Sequence, residues 1–325
     1  MEVMIMIRKI VTVLWILLVL FGCDTSSNQK NIDISLQDDV DIQLSPRTLY
    51  EFDDDALVND VAVYRNNFYL IDAVNNKVYV LDKNTKAIET LIAQDFGLPY
   101  FNPTGLTLSE PFLYILDSAN QQIIKWNLEN QSRHVTEIKG LDSAMLSSLM
   151  SLAVFDNNMY LSVMANNKKA NNIYKISPDG TLNSIMTSFI GYLNIIEDRI
   201  YATNSYFLTE GNGVYEISTG ESSIISLKSD VSQEEYVLDS KIAPFKLIKL
   251  GDYYLTSSLG TASIIKYDLD YKKSKVIFSL TDSEIDEASI GMLIMDQDNT
   301  LYLIDNSNHR VIELEYDDER YMVEY

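Results

Sequence analysis

The chain has 325 residues, of which 25 are basic and 47 acidic, giving a formal net charge of −22. A surface of that sign repels nucleic-acid phosphate and anionic headgroups, which excludes nucleic-acid binding. One cysteine and two histidines leave no internal disulfide, no histidine-based catalytic triad and no zinc cluster.

Met1 to Lys9 carries Arg8 and Lys9, and Ile10 to Gly22 is an apolar run of signal-peptide length. It falls short of the roughly 20 apolar residues that a membrane-spanning helix needs. The run ends in Leu20-Phe21-Gly22-Cys23 and passes at once into polar Asp24-Thr25-Ser26-Ser27-Asn28. That ending resembles the lipobox of bacterial lipoproteins, in which signal peptidase II cuts before the cysteine and the new N-terminus is acylated; Phe21 is bulkier than the residue usual there. The resemblance implies that 1–22 is a removed leader, that Cys23 carries the lipid, and that the protein is membrane-anchored outside the cytoplasm. Uncleaved, the same segment would be an N-terminal anchor with the same address. Acyl chains hold firmly, each buried CH₂ contributing about 0.8 kcal/mol.

Residues 23–47 are polar and acidic without a sustained period and read as a tether, although the alternation in Ile32-Asp33-Ile34-Ser35-Leu36 and Val40-Asp41-Ile42-Gln43-Leu44 keeps a strand open there. Thr48-Leu49-Tyr50-Glu51-Phe52 has strand character and sits where it would pair into the last repeat and close a ring. Asp53-Asp54-Asp55, with Asp60 nearby, is the one place where Ca²⁺ is worth weighing; it lacks the spacing and the glycine of a calcium loop, so a solvated acidic turn is favoured and no cofactor is expected.

From there to the end the chain repeats. Tyr69, Tyr114, Tyr160, Tyr201, Tyr254 and Tyr302 recur at intervals of 45, 46, 41, 53 and 48 residues, each inside a similar short strand. A period in the forties with several strands per unit predicts a β-propeller. Each unit opens with a continuous apolar run such as Val61-Ala62-Val63-Tyr64 or Met292-Leu293-Ile294-Met295, the pattern of a strand buried on both faces. A tight turn, the tyrosine strand, a third strand such as Lys77-Val78-Tyr79-Val80-Leu81-Asp82, a second turn such as Ser177-Pro178-Asp179-Gly180 and an outer strand such as Ala87 to Ile92 complete it. The expected fold is all-β, a six-bladed propeller over 48–325 with four antiparallel strands per blade.

The last unit reads Tyr302-Leu303-Ile304-Asp305-Asn306-Ser307-Asn308-His309-Arg310-Val311, and Tyr69 to Val78 and Tyr114 to Ile123 keep most of the same pattern. These units resemble the NHL-type six-bladed propeller, a TolB-like architecture. In the middle units Ser162, Asn204 and Ser257 stand where the strand-ending aspartate is expected. The resemblance implies architecture only, since such propellers serve as receptors, scaffolds, lyases and hydrolases.

The connections between units are long: Ala93 to Thr104, Lys139 to Ser151, Lys228 to Pro244 and Thr281 to Gly291 are the main ones. All lie on one face of the disc, where binding residues concentrate. Tyr100, Phe101, Tyr206, Phe207, Tyr236 and Phe245 are its candidate aromatic anchors for a protein or glycan partner, and Asp60 and Tyr192 its candidates at the channel mouth. The expected channel-mouth positions are Asp60, Gly105, Ser151, Tyr192, Phe245 and Gly291, with a single carboxylate among them. Six-bladed lactonases and related hydrolases need several oxygen ligands there for a divalent cation. Two function classes remain. The preferred one is a noncatalytic binding or scaffold propeller facing a protein or cell-envelope partner; the alternative is a divalent-metal-dependent hydrolase or lyase, lactonase-like or acting on polysaccharide. No catalytic or metal-ligating residue is assigned.

Overall fold

The computed structural model describes residues 43–52, 56–141, 149–163, 172–187, 191–197, 199–204, 214–217, 224–226, 244–258, 263–268, 274–279 and 290–317. Cys23, Asp53-Asp54-Asp55, Tyr206, Phe207 and Tyr236 lie outside these residues.

The described strands are β1 (Gln43–Glu51), β2 (Val58–Tyr64), β3 (Asn67–Asp72), β4 (Lys77–Asp82), β5 (Ile88–Leu91), β6 (Pro103–Ser109), β7 (Phe112–Asp117), β8 (Gln122–Asn127) and β9 (Arg133–Glu137). They continue with β10 (Leu149–Phe155), β11 (Asn158–Val163), β12 (Asn172–Ile176), β13 (Leu182–Thr187), β14 (Gly191–Ile196), β15 (Arg199–Asn204), β16 (Val214–Ile217) and β17 (Ile224–Ser226). The last are β18 (Pro244–Leu250), β19 (Tyr253–Ser258), β20 (Ser263–Asp268), β21 (Ser274–Ser279), β22 (Ile290–Met295), β23 (Leu301–Asp305) and β24 (Arg310–Asp317). They form an all-β propeller of four-stranded sheets: β2 to β5, β6 to β9, β10 to β13, β14 to β17, β18 to β21, and β22 to β24 completed by β1. Every pairing within these sheets is antiparallel.

Burial falls from the inside of each sheet outward, as the hydrophobic patterns require. In the first sheet, β2 and β3 are buried along nearly their whole length, whereas Ile88, Glu89 and Thr90 of β5 are exposed. The first strands β2, β6, β10, β14 and β18 touch in chain order, and β22 meets both β18 and β2. All six repeated tyrosines lie in the second strand of their sheet and are buried. Several of these strands pack rings against a neighbouring sheet: Tyr69 meets Trp126 edge-on at 5.8 Å, Phe68 meets Tyr302 at 4.7 Å, and the Tyr201 and Tyr254 hydroxyls are 2.9 Å apart.

The ring is closed by β1, which pairs with β24 from Gln43↔Asp317 to Glu51↔Arg310. The strand starts at Gln43, ahead of the expected domain start at 48, because β24 offers an unpaired edge along its whole length. Pro46 is tolerated because β1 is the outermost strand.

The seam between the last sheet and the first is fastened at several levels. The Asn306 amide accepts from Val58 N and donates to Val58 O, each at 3.0 Å, and a His309 ring nitrogen lies 2.9 Å from Ala56 O. Toward the short-turn face, the Lys83 ammonium donates to Asp296 Oδ2 at 2.7 Å, with both side chains largely buried. Gly180, at φ +87°, allows the expected tight turn to form: a Cβ there would fall 1.8 Å from Glu137 O of the preceding sheet.

Candidate functional site at the propeller axis

Apart from β14, the first strands carry irregularities in register near their starts, between Val58 and Asp60, Pro103 and Gly105, Leu149 and Ser151, Pro244 and Leu247, and Ile290 and Leu293. Bulges of this kind bend a strand and re-aim its side chains. Here they fall at or beside the positions expected to line the channel.

Asp60 is fully buried and completely engaged. Its Oδ1 accepts from Val61 N at 2.8 Å, its Oδ2 accepts from Leu106 N of the next sheet at 2.8 Å, and it forms an ion pair with Lys246 of the fifth sheet. The Lys246 ammonium also donates to Val61 O at 2.8 Å. Beside this pair Tyr192 and Phe245 pack with ring centroids 5.0 Å apart and planes inclined at 56°. Burial, and next the nearby Asp60 carboxylate, push the Tyr192 hydroxyl well above its ordinary value, so it stays a neutral phenol.

The other polar side chains around the axis hold sheet to sheet. Ser151 Oγ accepts from Leu193 N at 3.0 Å, Asn194 Oδ1 accepts from Leu247 N at 2.8 Å, Thr203 Oγ1 donates to Phe245 O at 2.7 Å, and Ser257 Oγ donates to Gly291 O at 2.8 Å. These bonds supply partners to buried backbone groups that a curved inner sheet leaves open.

The strand-ending aspartates serve local turns. Asp72 accepts from Val74 N, Asn75 N and Asn75 Nδ2; Asp117 accepts from Asn102 N, Asn120 Nδ2 and Gln122 Nε2; Asp305 accepts from Asn308 N, Asn308 Nδ2 and Arg310 Nε. A divalent cation at the axis would need several free oxygens together. Asp60 is the one carboxylate among the axial positions and is held by an ammonium and two amides, and no group of three acidic, histidine or cysteine side chains among the described residues is placed to hold a metal. The described axis therefore does not fit a divalent ion.

Of the aromatic candidates among the described residues, Tyr100 stands out to solvent, at 53 % exposure; its carbonyl accepts from Asn120 Nδ2. Phe101 is 4 % exposed and packs on Phe96 at 4.8 Å, inside the core between the first two sheets. Phe245 is likewise buried, against Tyr192 and Met292. The expected aromatic surface thus yields one exposed ring among the described residues, because Phe101 and Phe245 turn inward and pack in the core. Asp60, Tyr192 and Phe245 do come together. Lys246 was missed by sequence reasoning; its only signal is a lysine between the channel-mouth candidate Phe245 and the apolar run that begins at Leu247.

No family model matches the chain, and no curated protein matches it. Among solved structures, a carbohydrate-active enzyme of family AA12 from Trichoderma reesei aligns with a TM-score of 0.59 at 12 % identity, covering 90 % of this chain and 100 % of that one. A streptogramin B lyase aligns with a TM-score of 0.57 at 10 % identity, covering 85 % and 98 %. A chain from a nidogen/laminin complex aligns with a TM-score of 0.50 at 15 % identity, covering 70 % and 81 %. At such identities the likeness is one of fold.

Proposed function

We propose that the protein is a binding or scaffold propeller, six-bladed and of NHL type, that recognises a protein or cell-envelope partner through its long-loop face. The observation that carries this reading is the engagement of Asp60 by Lys246 and two backbone amides, which leaves the axial carboxylate with structural work. Tyr100 on the first long loop offers a solvent-facing ring for contact. The apolar leader and Leu20-Phe21-Gly22-Cys23 support a lipid anchor at Cys23 and an extracytoplasmic address, with 23–47 as the tether.

The test is a photo-crosslinking side chain placed at Tyr100 in the tethered protein in cells, with the same probe at Val135, an exposed position on the outer strand β9, as control. One partner joined at 100 and absent at 135 is the expected result; equal labelling, or none at 100, refutes the working face. Fatty-acid labelling lost on Cys23→Ser checks the anchor.

A second reading, a hydrolase or lyase of the six-bladed group acting on a small ester or a polysaccharide, is favoured by neighbours that are enzymes, the streptogramin B lyase and the carbohydrate-active enzyme among them. In its divalent-metal form it requires ligands beyond the described axial set. A melting midpoint raised by millimolar Ca²⁺ would support it, since a ligand that binds only the folded state stabilises that state.

A further inference from the structure

We infer that the Lys246 ammonium is the resident cation of the propeller axis: a tethered charge that neutralises Asp60 and makes the inner ring independent of a bound metal. The first observation is topological. Lys246 belongs to β18 and Asp60 to β2, and β22 lies between these strands in the ring, touching both. The ion pair therefore skips a sheet and forms a crosspiece near the channel mouth, where neighbouring sheets are otherwise joined by hydrogen bonds to backbone groups.

The second observation is chemical. Asp60 has two oxygens and three donors, one an ammonium and two of them amides from different sheets. Lys246 spends a second donor on Val61 O, beside the first amide that Asp60 accepts. Carboxylate, ammonium and the Val61 peptide thus form a closed cycle that consumes the charge within the protein. Burial makes that neutralisation obligatory, because an isolated carboxylate at 1 % exposure would carry a large desolvation penalty. Phe245, the residue before Lys246, seals one side by packing in the same apolar cluster as Val58, Val61 and Met292.

The third observation is that the anchoring backbone is itself fixed. Thr256 Oγ1 donates to Lys246 O at 3.0 Å and Thr203 Oγ1 to Phe245 O at 2.7 Å, so the strand start that carries the ammonium is held from its own sheet and from the fourth. The backbone that carries the cation is thus fixed by bonds that do not involve Asp60, and Val61 O holds the ammonium beside the carboxylate.

The experiment is a double-mutant cycle on the full chain with Asp60→Asn, Lys246→Met and the double variant, each melted with EDTA and with millimolar Ca²⁺. Each single change strands one buried partner and lowers the midpoint by about 6–12 °C. The double variant has no unpaired charge and is expected to melt above the Lys246→Met variant. The wild-type midpoint is expected to be the same in EDTA and in Ca²⁺. A double variant that melts no higher than Lys246→Met, or a wild-type midpoint that rises with Ca²⁺, overturns the inference. If Lys246→Met alone fails to fold, recovery of folding by adding Asp60→Asn is the supporting result.

Discussion

Replacing Asp296 by asparagine should be one of the more damaging single polar changes at the seam that closes the ring. Asp296 Oδ1 accepts from Asp298 N and Thr300 N at 2.9 Å each, and Oδ2 accepts from Lys83 Nζ at 2.7 Å and Tyr302 Oη at 3.1 Å. The side chains of Lys83 and Asp296 are 11 % and 3 % exposed. Asparagine keeps an acceptor for the turn amides but leaves a buried ammonium without its counter-ion. Breaking a buried pair from one side costs about 3–5 kcal/mol, and the residual exposure of Lys83 argues for about 3. For a domain of this size about 3 kcal/mol corresponds to a midpoint lower by roughly 6–12 °C. Lys83→Met should cost less, because Asp296 then retains three donors and the methionine chain covers the face of Tyr302, over which Lys83 Nζ sits 5.8 Å from the ring centroid.

The assay is thermal melting at neutral pH in low salt and in about 1 M NaCl, which screens exposed pairs but not buried ones. The exposed pair Arg65 with Glu129 is the internal control, and its loss should be small and vanish in salt. The linkage has a definite sign. Burial alone would raise the Asp296 pKa, but the Lys83 ammonium, the Thr300 amide and the Tyr302 hydroxyl outweigh it and hold the group below its ordinary 3.8. A depressed carboxylate contributes stability above its unfolded pKa and loses it as pH falls through the folded one. The wild type should therefore lose more stability than Asp296→Asn on acidification below about pH 4. A loss under about 0.5 kcal/mol in Asp296→Asn, or one abolished by salt, would refute the reasoning.

Other outcomes follow from the same packing. Phe101→Ala should cost about 3–5 kcal/mol by emptying a site against Phe96, whereas Tyr100→Ala should stay within about 0.5 kcal/mol; denaturant melts of the two distinguish core from surface. At Gly291 a Cβ would meet Ile304 O and Asn306 Nδ2 at 3.0 Å, so Gly291→Ala should lose about 1–3 kcal/mol by displacing the amide that clasps Val58, again read from a melt. Burial raises the Tyr192 and Tyr302 hydroxyls above their ordinary 10.0, with Asp60 and Asp296 adding to it. Their neutral forms favour the fold, so stability should fall as pH climbs past 10, and ultraviolet titration should show phenols that ionise only on unfolding.

The strands were legible because most first strands are largely apolar runs and each second strand carries a tyrosine, and both patterns reflect local burial on a pleated surface. The turns were legible for the same local reason, through residues such as Asp179 and Gly180. The ring-closing strand was legible most clearly from Thr48 onward, with a weaker alternation over Val40 to Leu44. Ser45 to Arg47, which includes Pro46, has no strand pattern of its own and joins the strand because β24, more than 250 positions away, supplies its pairing partners.

The site was less visible. Exposure of a loop aromatic depends on how adjacent sheets meet, so Tyr100 and Phe101, consecutive in the chain, end on opposite sides of the surface. Lys246 and Asp60 illustrate the limit most clearly. Local patterning determines which residues form strands and how many fit a repeat, since those choices are made over a few residues. Which charge meets which is decided by the closure of the ring, where sheets remote in sequence bring their strand starts to one axis and a buried carboxylate must take the nearest cation.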